Sequence, residues 1–192
     1  MSRLVFLVEE RSMAEFLQIW VPRAFPGLLF KCVPHAGKSD LMKSIPRKLK
    51  AWREPGARFV IIIDNDNRGC EELKTQLLKS CRDGGREDAL IRIACQELEA
   101  WYLGDPEALA AAFADPTLPD RLKKPRFRNP DTLPKPSKDL ARLAPAFQKV
   151  SGARAVARYI DRERNISASF MTFVAGIDRI VGYLPPLPNA PD

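Results

Sequence analysis

Residues 59–66 have the sequence FVIIIDND, in which an apolar, mostly β-branched run ends abruptly in alternating aspartates. A continuous run of this kind predicts a strand that is buried on both faces, as in a parallel sheet. Three further strands are predicted at residues 4–8, 28–33 and 89–94. Amphipathic stretches between them predict helices at about 12–23, 39–53 and 70–82. Alternating strands and helices predict β-α-β units around a mostly parallel four-stranded sheet.

Local signals refine these predictions. Ser12 with Glu15 three residues later matches a capping box, which would start the first helix. Pro46 lies inside the second helix and is expected to break or kink it. Residues 116–136 hold six prolines and are predicted to form an extended, partly ordered connector. Three helices at about 137–148, 151–163 and 167–181 and an irregular tail at 184–188 are predicted beyond it.

This pattern predicts two parts in the 192 residues. Residues 1–115 are expected to form the α/β domain, flanked by its helices. Residues 116–192 are expected to form the proline-rich connector and a basic C-terminal helical extension packed on that domain. A chain of this length is typical of one domain with an added segment.

The positive charge is unevenly distributed. The chain carries a formal charge of +7, and residues 121–164 alone hold thirteen basic and four acidic side chains, a net charge of +9. The rest of the chain therefore sums to −2. A basic segment of this kind predicts an anionic partner, with nucleic acid as the first candidate.

Several protein classes are excluded by composition. No apolar run approaches the roughly 18–20 residues of a membrane span, and the N-terminal apolar run is too short for a signal peptide. The four cysteines form no C-x-x-C pair, which excludes a zinc ribbon and a redox motif of that type. With a single histidine, sites built from several histidines are excluded as well. We expect reduced cysteines in a cytoplasmic protein that does not contact a membrane.

Acidic residues follow three of the four predicted strands. They are Glu9 and Glu10, Asp64 and Asp66, and Glu97 and Glu99. Functional groups of parallel sheets gather at the carboxyl ends of the strands, and residues two apart on extended backbone project to the same side. Crowded carboxylates favour Mg²⁺ or Mn²⁺, which can polarise a phosphoryl oxygen and activate water. The alternative is that these acids are N-caps and solvated loop residues.

The turn after the second strand holds the only histidine. Gly37-Lys38-Ser39 matches the end of a P-loop, but Cys32 stands where the first glycine would be, so that motif is rejected. Lys38 near a helix N-terminus is a candidate phosphate contact, with a solvated lysine as the alternative. His35 is a candidate general acid or base, with a structural histidine as the alternative.

The arrangement of a glutamate after the first strand and D-x-D after the third resembles the Toprim domain. Several longer stretches are similar to a Toprim-like family, domain of unknown function 4276 (DUF4276). These stretches are FLVEE at 6–10, PHAGKSDL at 34–41, SIPRKL at 44–49, IACQELEAWYLGD at 93–105, FRNP at 127–130 and QKVSGAR at 148–154. Together they span nearly the whole chain.

The resemblance implies a Toprim-like fold that binds Mg²⁺ and cleaves phosphodiester bonds. Residue by residue, it assigns Glu9, Asp64 and Asp66 to the metal, and it leaves Glu97 and Glu99 as inferred additions. Glu10 stands where many Toprim domains have glycine, which leaves open which glutamate faces the metal. Related nucleases of the overcoming-lysogenization-defect type work with an ABC-type ATPase, often in antiphage defence. A separately encoded ATPase partner is therefore expected by analogy.

The basic C-terminal segment then gains a possible role. A phosphate track is predicted along Arg126, Arg128, Lys149, Arg154 and Arg158, and Lys149 is also a candidate for stabilising transition-state charge. The alternative is a solvated basic face. Trp101 and Tyr102 are expected in the core rather than stacked on a base.

Three hypotheses follow from the sequence. The first is a Mg²⁺- or Mn²⁺-dependent nuclease with Glu9, His35, Lys38, Asp64, Asp66 and Lys149 in catalysis. The second is a non-catalytic subunit that binds nucleic acid or an ATPase. The third, a nucleotide-processing phosphotransferase, lacks a nucleotide fingerprint. A homo-oligomer is compatible with each of them.

Overall fold

The computed structural model describes residues 3–182, which form a four-stranded, all-parallel sheet between helices. The strands are β1 (Leu4–Val8), β2 (Phe30–Pro34), β3 (Arg58–Asp64) and β4 (Leu90–Ala94). Their order in the sheet is β2-β1-β3-β4. The connecting helices are α1 (Arg11–Ala24), α2 (Lys38–Ala51) and α3 (Cys70–Asp83). The predicted α/β class and parallel sheet are confirmed.

The two faces of the sheet are covered by different helices. Because successive side chains of a strand point to opposite faces, Val5 and Leu7 pack with α2 and α3, whereas Phe6 and Val8 pack with α1 and later helices. The connection from β1 to β2 thus runs over one face, and the connections after β2 and β3 run over the other. The chain reverses its winding direction between β1 and β3.

All the regular secondary structure described beyond β4 is helical. The helices are α4 (Glu99–Leu103), α5 (Pro106–Phe113), α6 (Leu118–Leu122), α7 (Pro136–Leu143), α8 (Lys149–Ala157) and α9 (Ala168–Gly182), with single 3₁₀ turns at Pro125–Phe127 and Pro130–Thr132. The extended connector predicted for residues 116–136 is therefore wrong. Prolines occupy the first positions of these short helices, where no N–H is needed and the fixed φ favours the helix.

The predicted capping box and the predicted break of the second helix at Pro46 are also wrong. Helix α1 begins at Arg11, and the Ser12 hydroxyl donates to the Glu10 carboxylate at 2.8 Å instead of capping the helix. Helix α2 continues through Pro46 to Ala51. The apolar face of α2 is buried on the sheet, and this packing outweighs the one backbone hydrogen bond that Pro46 lacks. The tail predicted to be irregular at 184–188 lies outside the described residues.

The larger core unites the sheet with the C-terminal helices. Phe16 and Trp20 of α1 pack against Trp101 of α4 and Phe173 of α9, with ring centroids 4.9–6.1 Å apart. Phe6 of β1 also contacts Phe173. Asp105, fully buried, anchors the loop before α9 through Arg164. Among residues 3–182, none of the helices is both long and apolar enough to cross a bilayer.

Candidate active site

The acidic residues converge where the sheet reverses its winding. Hydrogen-bonded register places Val8 beside Ile62 and Asp64 beside Ala94, so the carboxyl ends of β1, β3 and β4 are neighbours. Ligands of open parallel sheets bind at such switch points. Glu9 follows β1 directly, and its Oε2 accepts a hydrogen bond from the backbone N–H of Asp64 at 3.2 Å. The glutamate after β1 and the aspartate ending β3 are thus in direct contact.

The backbone is not extended through the two aspartates of the D-x-D motif. Asp64 lies in β3 and is buried, whereas Asp66 has a φ of 48° and a side chain that is 45% exposed. The expectation of extended backbone through both is wrong, because the chain turns sharply after Asn65. Asp66 instead pairs with Lys38 at 2.5 Å. Asp64 is left as the deep carboxylate and Asp66 as the outer one.

The loop that follows β4 holds this turn in place through Gln96. The backbone N–H of Asp66 donates to the carbonyl of Gln96, and the Gln96 side chain accepts from the N–H of Asn67 at 2.8 Å. The Asn65 side chain in turn accepts from the N–H of Gln96. Asn67 and Gln96 both have a φ of 62°, a backbone conformation that residues other than glycine rarely adopt. Left-handed backbone held by mutual hydrogen bonds is characteristic of functional sites.

Glu99 lies within the protein behind Asp64. It opens helix α4, is 2% exposed, and burial raises its pKa to about 7 although Lys149 opposes that shift. The pKa of Asp64 is raised well above its usual range by burial and by Glu9 and Glu99. Burial likewise raises the pKa of Glu9. The deep acids therefore hold protons at pH values where isolated carboxyls are fully ionised.

Two buried polar atoms at this site have no hydrogen-bond partner among the described residues: Asp64 Oδ1 and the Tyr102 hydroxyl. Tyr102 lies one helical turn beyond Glu99, and its pKa is raised by burial and by the neighbouring Glu99 and Asp64. Its hydroxyl was missed by the sequence analysis, which placed Tyr102 in the core on its apolar ring alone. The i, i+3 spacing from Glu99 would have indicated a shared helix face.

Glu10 and Glu97 are engaged by the helical extension. Lys149 Nζ, at the start of α8, contacts Glu10 Oε2 at 2.7 Å. Glu97 accepts a hydrogen bond from the N–H of Ser137 in the first turn of α7 at 2.8 Å, and Lys135 lies 3.5 Å from it. Glu97 thus stabilises a helix N-terminus. Lys149 and Glu97 both lie close enough to affect the pKa of Glu99, in opposite directions.

His35 is buried against the end of β1. Its Nδ1 lies 2.8 Å from the carbonyl oxygen of Val8, and its Nε2 contacts Ser44 Oγ at 2.7 Å and Lys48 Nζ at 2.8 Å. Burial lowers the pKa of His35, which favours a neutral ring donating from Nδ1. Both ring nitrogens are occupied, so His35 positions the residue before Glu9 in this structure.

The predicted phosphate track is divided by the fold. Arg126 pairs with the buried Asp139 and Arg154 with Glu15 of α1, so both bind the protein itself. Arg128 and Arg158 are exposed, and within residues 3–182 neither forms an ion pair. Of the predicted cationic residues, Lys38 and Lys149 are the two in contact with the acidic cluster.

The donor set suits a hard divalent cation. Within residues 3–182, no three His, Cys, Asp or Glu side chains already stand close enough to form a complete metal cage. Mg²⁺, however, is usually held by one or two carboxylates with several waters and substrate phosphates. Asp64 Oδ1 is a buried acceptor lacking a donor, with Glu9 beside it and Lys38 and Lys149 balancing the outer acids. The residues therefore fit Mg²⁺ or Mn²⁺.

The pKa of Glu99 predicts a pH-dependent stability. Since the folded pKa is about 7 and the usual value is 4.5, the metal-free protein should lose about 3 kcal/mol of its unfolding free energy from this group as pH rises from 4.5 to above 7. Glu99→Gln should flatten this dependence and unfold at higher denaturant concentration than the wild type at pH 8. Urea unfolding from pH 5 to pH 8 in EDTA measures both effects.

Glu87→Gln, at an exposed glutamate, is the control and should follow the wild-type pH profile. Parallel pH profiles for Glu99→Gln and the wild type would show that Glu99 titrates normally.

Comparisons with known proteins agree with this architecture. The family model described as domain of unknown function (DUF4276) matches residues 8–178. The fold is similar to that of the C-terminal region of the Burkholderia pseudomallei OLD protein, with a TM-score of 0.59 and 14% sequence identity. That match covers 94% of this chain and 99% of the other. No curated protein matches the sequence.

Proposed function

Because the chain belongs to the DUF4276 family and has a Toprim-type fold similar to the OLD C-terminal region, we propose that it is a metal-dependent nuclease. The strongest support is Asp64, a buried carboxylate at the sheet's switch point with one fully buried oxygen that has no hydrogen-bond partner among residues 3–182. Burying such a group is costly unless a ligand compensates it. The substrate class is nucleic acid, and the bond cleaved is a phosphodiester.

In this proposal Glu9 and Asp64 bind the cation. Glu99, which lies deeper in the protein, is either a third ligand or holds the other ligands in place without touching the cation. Mg²⁺ or Mn²⁺, when bound, supplies polarisation of a phosphoryl oxygen and a more acidic water. Asp66 orients Lys38 at the mouth of the site, and Glu10 orients Lys149. Each ammonium group can leave its carboxylate and bind a substrate phosphate instead. The phosphate attracts the ammonium group more strongly as negative charge develops on it during the reaction. His35 fixes the Val8 carbonyl and thereby the position of Glu9.

Incubation of the purified protein with plasmid, single-stranded DNA and single-stranded RNA tests the proposal. We expect cleavage with Mg²⁺ or Mn²⁺, and no cleavage in EDTA. The rate should increase between pH 6 and pH 8, since protons on Glu9, Asp64 and Glu99 compete with the cation. Metal-independent cleavage, or a rate that falls over this pH range, would contradict the assignment.

A non-catalytic subunit is the second candidate. It is favoured by the two lysines, which already neutralise the outer acids without a metal. This alternative predicts nucleic-acid or ATPase binding that is insensitive to divalent cations and to substitution of Asp64. Partnership with a separate ABC-type ATPase and antiphage defence belong to the proposal on the strength of the family resemblance, and a homo-oligomeric state is compatible with it.

A further inference from the structure

A second basic surface lies along the open edge of the sheet. Residues 31–53 contain seven basic side chains and a single acidic one, a net charge of +6. Among residues 3–182, Lys38 alone of these seven takes part in an ion pair. By contrast, eight of the thirteen basic residues in 121–164 are held in ion pairs. The fold therefore leaves the larger uncompensated charge on β2 and α2.

A cleft with a volume of about 360 Å³ runs between β2 and the C-terminal half of α2. Its walls include Lys31, Val33, Lys48 and Trp52. The Trp52 indole is partly exposed, and the ring of Phe59 meets it edge-on with centroids 5.6 Å apart. Lys31 Nζ lies 5.5 Å from the indole centroid. The partly exposed indole thus lines the cleft together with two ammonium groups, and among residues 3–182 neither of them is in an ion pair.

The cleft leads toward the candidate active site. Lys48 Nζ at one end of it contacts His35 Nε2, and the opposite nitrogen of the same ring contacts the Val8 carbonyl. Val8 precedes Glu9. Helix α2 also begins with Lys38, which pairs with Asp66. One imidazole ring therefore separates the cleft from the carboxyl end of β1.

We propose that the β2–α2 cleft binds single-stranded nucleic acid, with one base stacked on Trp52 and the flanking phosphates on Lys31 and Lys48. The inference takes its substrate class from the proposed nuclease function. It adds the place at which the nucleic-acid strand approaches the candidate active site. Phosphates match the unpaired ammonium groups, and the base matches the exposed indole. Lys31 is exposed and is in no ion pair among residues 3–182, so it can leave the ring face as a base arrives. A duplex would not offer an unstacked base to this cleft.

Intrinsic fluorescence can report on this cleft selectively. Of the three tryptophans, Trp20 and Trp101 are at most 1% exposed, so Trp52 is the one that a ligand can touch. Titration with a twelve-nucleotide oligothymidylate in EDTA, where no cleavage is expected, should give saturable quenching. Trp52→Phe should abolish most of that quenching and weaken binding, measured independently by anisotropy of a labelled oligonucleotide.

The charged walls are tested by Lys31→Glu combined with Lys48→Gln. We expect at least a tenfold loss of affinity, and a slope of log affinity against log salt that is shallower by about 0.7 for each lysine removed. Lys79→Glu combined with Lys74→Gln places the same charge change on two exposed lysines of α3, neither of which is in an ion pair among residues 3–182, and serves as the control. It should retain affinity within about twofold.

The outcomes separate this inference from the proposed function. Saturable quenching without cleavage in Mg²⁺ supports the cleft and contradicts the nuclease. Cleavage with no quenching, or with affinity insensitive to Lys31, Lys48 and Trp52, overturns the cleft and leaves the nuclease standing. Equal quenching by polyglutamate at matched charge overturns it in favour of an acidic protein partner.

Discussion

Asp64→Asn is expected to abolish metal-dependent cleavage while leaving the fold intact. The substitution keeps the shape of the side chain but removes the charge that a divalent cation requires at this buried position. The cleavage rate should fall by more than about 100-fold. That factor is the upper end of the loss caused by removing a residue that only hydrogen-bonds to a metal ligand, and Asp64 is proposed to be a ligand itself. The metal-free variant should also be more stable at pH 8, because a crowded buried carboxylate is replaced by a neutral amide.

Cleavage of plasmid and single-stranded DNA in Mn²⁺ and a thermal melt at pH 8 measure these two effects. Asp83→Asn, at an exposed aspartate on the last turn of α3, is the matched control and should behave as the wild type. Wild-type cleavage by Asp64→Asn would remove this residue from the site and with it the main support for the nuclease.

Asp105→Ala is expected to cost about 3 kcal/mol of unfolding free energy, because it breaks an ion pair whose carboxylate is fully buried. Arg164 contacts both carboxylate oxygens, at 2.7 Å and 2.9 Å, and the backbone N–H groups of Ala108 and Asp161 also donate to them. Asp105 thus caps α5 and fixes the segment leading to α9. Removing it takes the buried carboxylate from the Arg164 guanidinium and leaves the N–H groups of Ala108 and Asp161 without this acceptor.

Urea unfolding at pH 7 measures this cost. Asp178→Ala offers a matched comparison, since that aspartate pairs with Arg162 at the surface and its side chain is 43% exposed. The surface pair should contribute at most about 1 kcal/mol. Equal losses for the two variants would show that the Asp105 network does not stabilise the fold.

The sheet was predictable because each strand is an uninterrupted apolar run that must be buried on both faces. Residues 4–8 were predicted without error, and the third and fourth strands to within one residue at each end. The family followed from the long stretches around Glu9, His35 and Glu97. The helices of residues 116–136 were missed because proline marks both an irregular segment and the first turn of a helix. Tertiary packing decides between these two outcomes.

The candidate site was predictable at the level of strand ends and not of side chains. That Glu9 and Asp64 meet follows from parallel strand order. That Asp66 turns outward depends on a left-handed residue, and Gln96 stabilises that turn from another loop. Charge was the hardest property to locate. Residues 121–164 have the larger net charge in the sequence, yet ion pairing within the fold neutralises much of it, whereas the smaller excess on β2 and α2 stays unpaired.

The helices after β4 complete the same core that carries the sheet, and this limits how the protein can be shortened. A fragment ending near residue 115 would keep Glu9, Asp64 and Glu99 in sequence. It would lose Phe173 and with it the partner of Phe6, Trp20 and Trp101. The end of the sheet that carries Glu9, Asp64 and Glu99 therefore cannot be produced as a smaller fragment or transferred alone to another protein. Whatever chemistry it performs is inherited, duplicated or lost together with the helices.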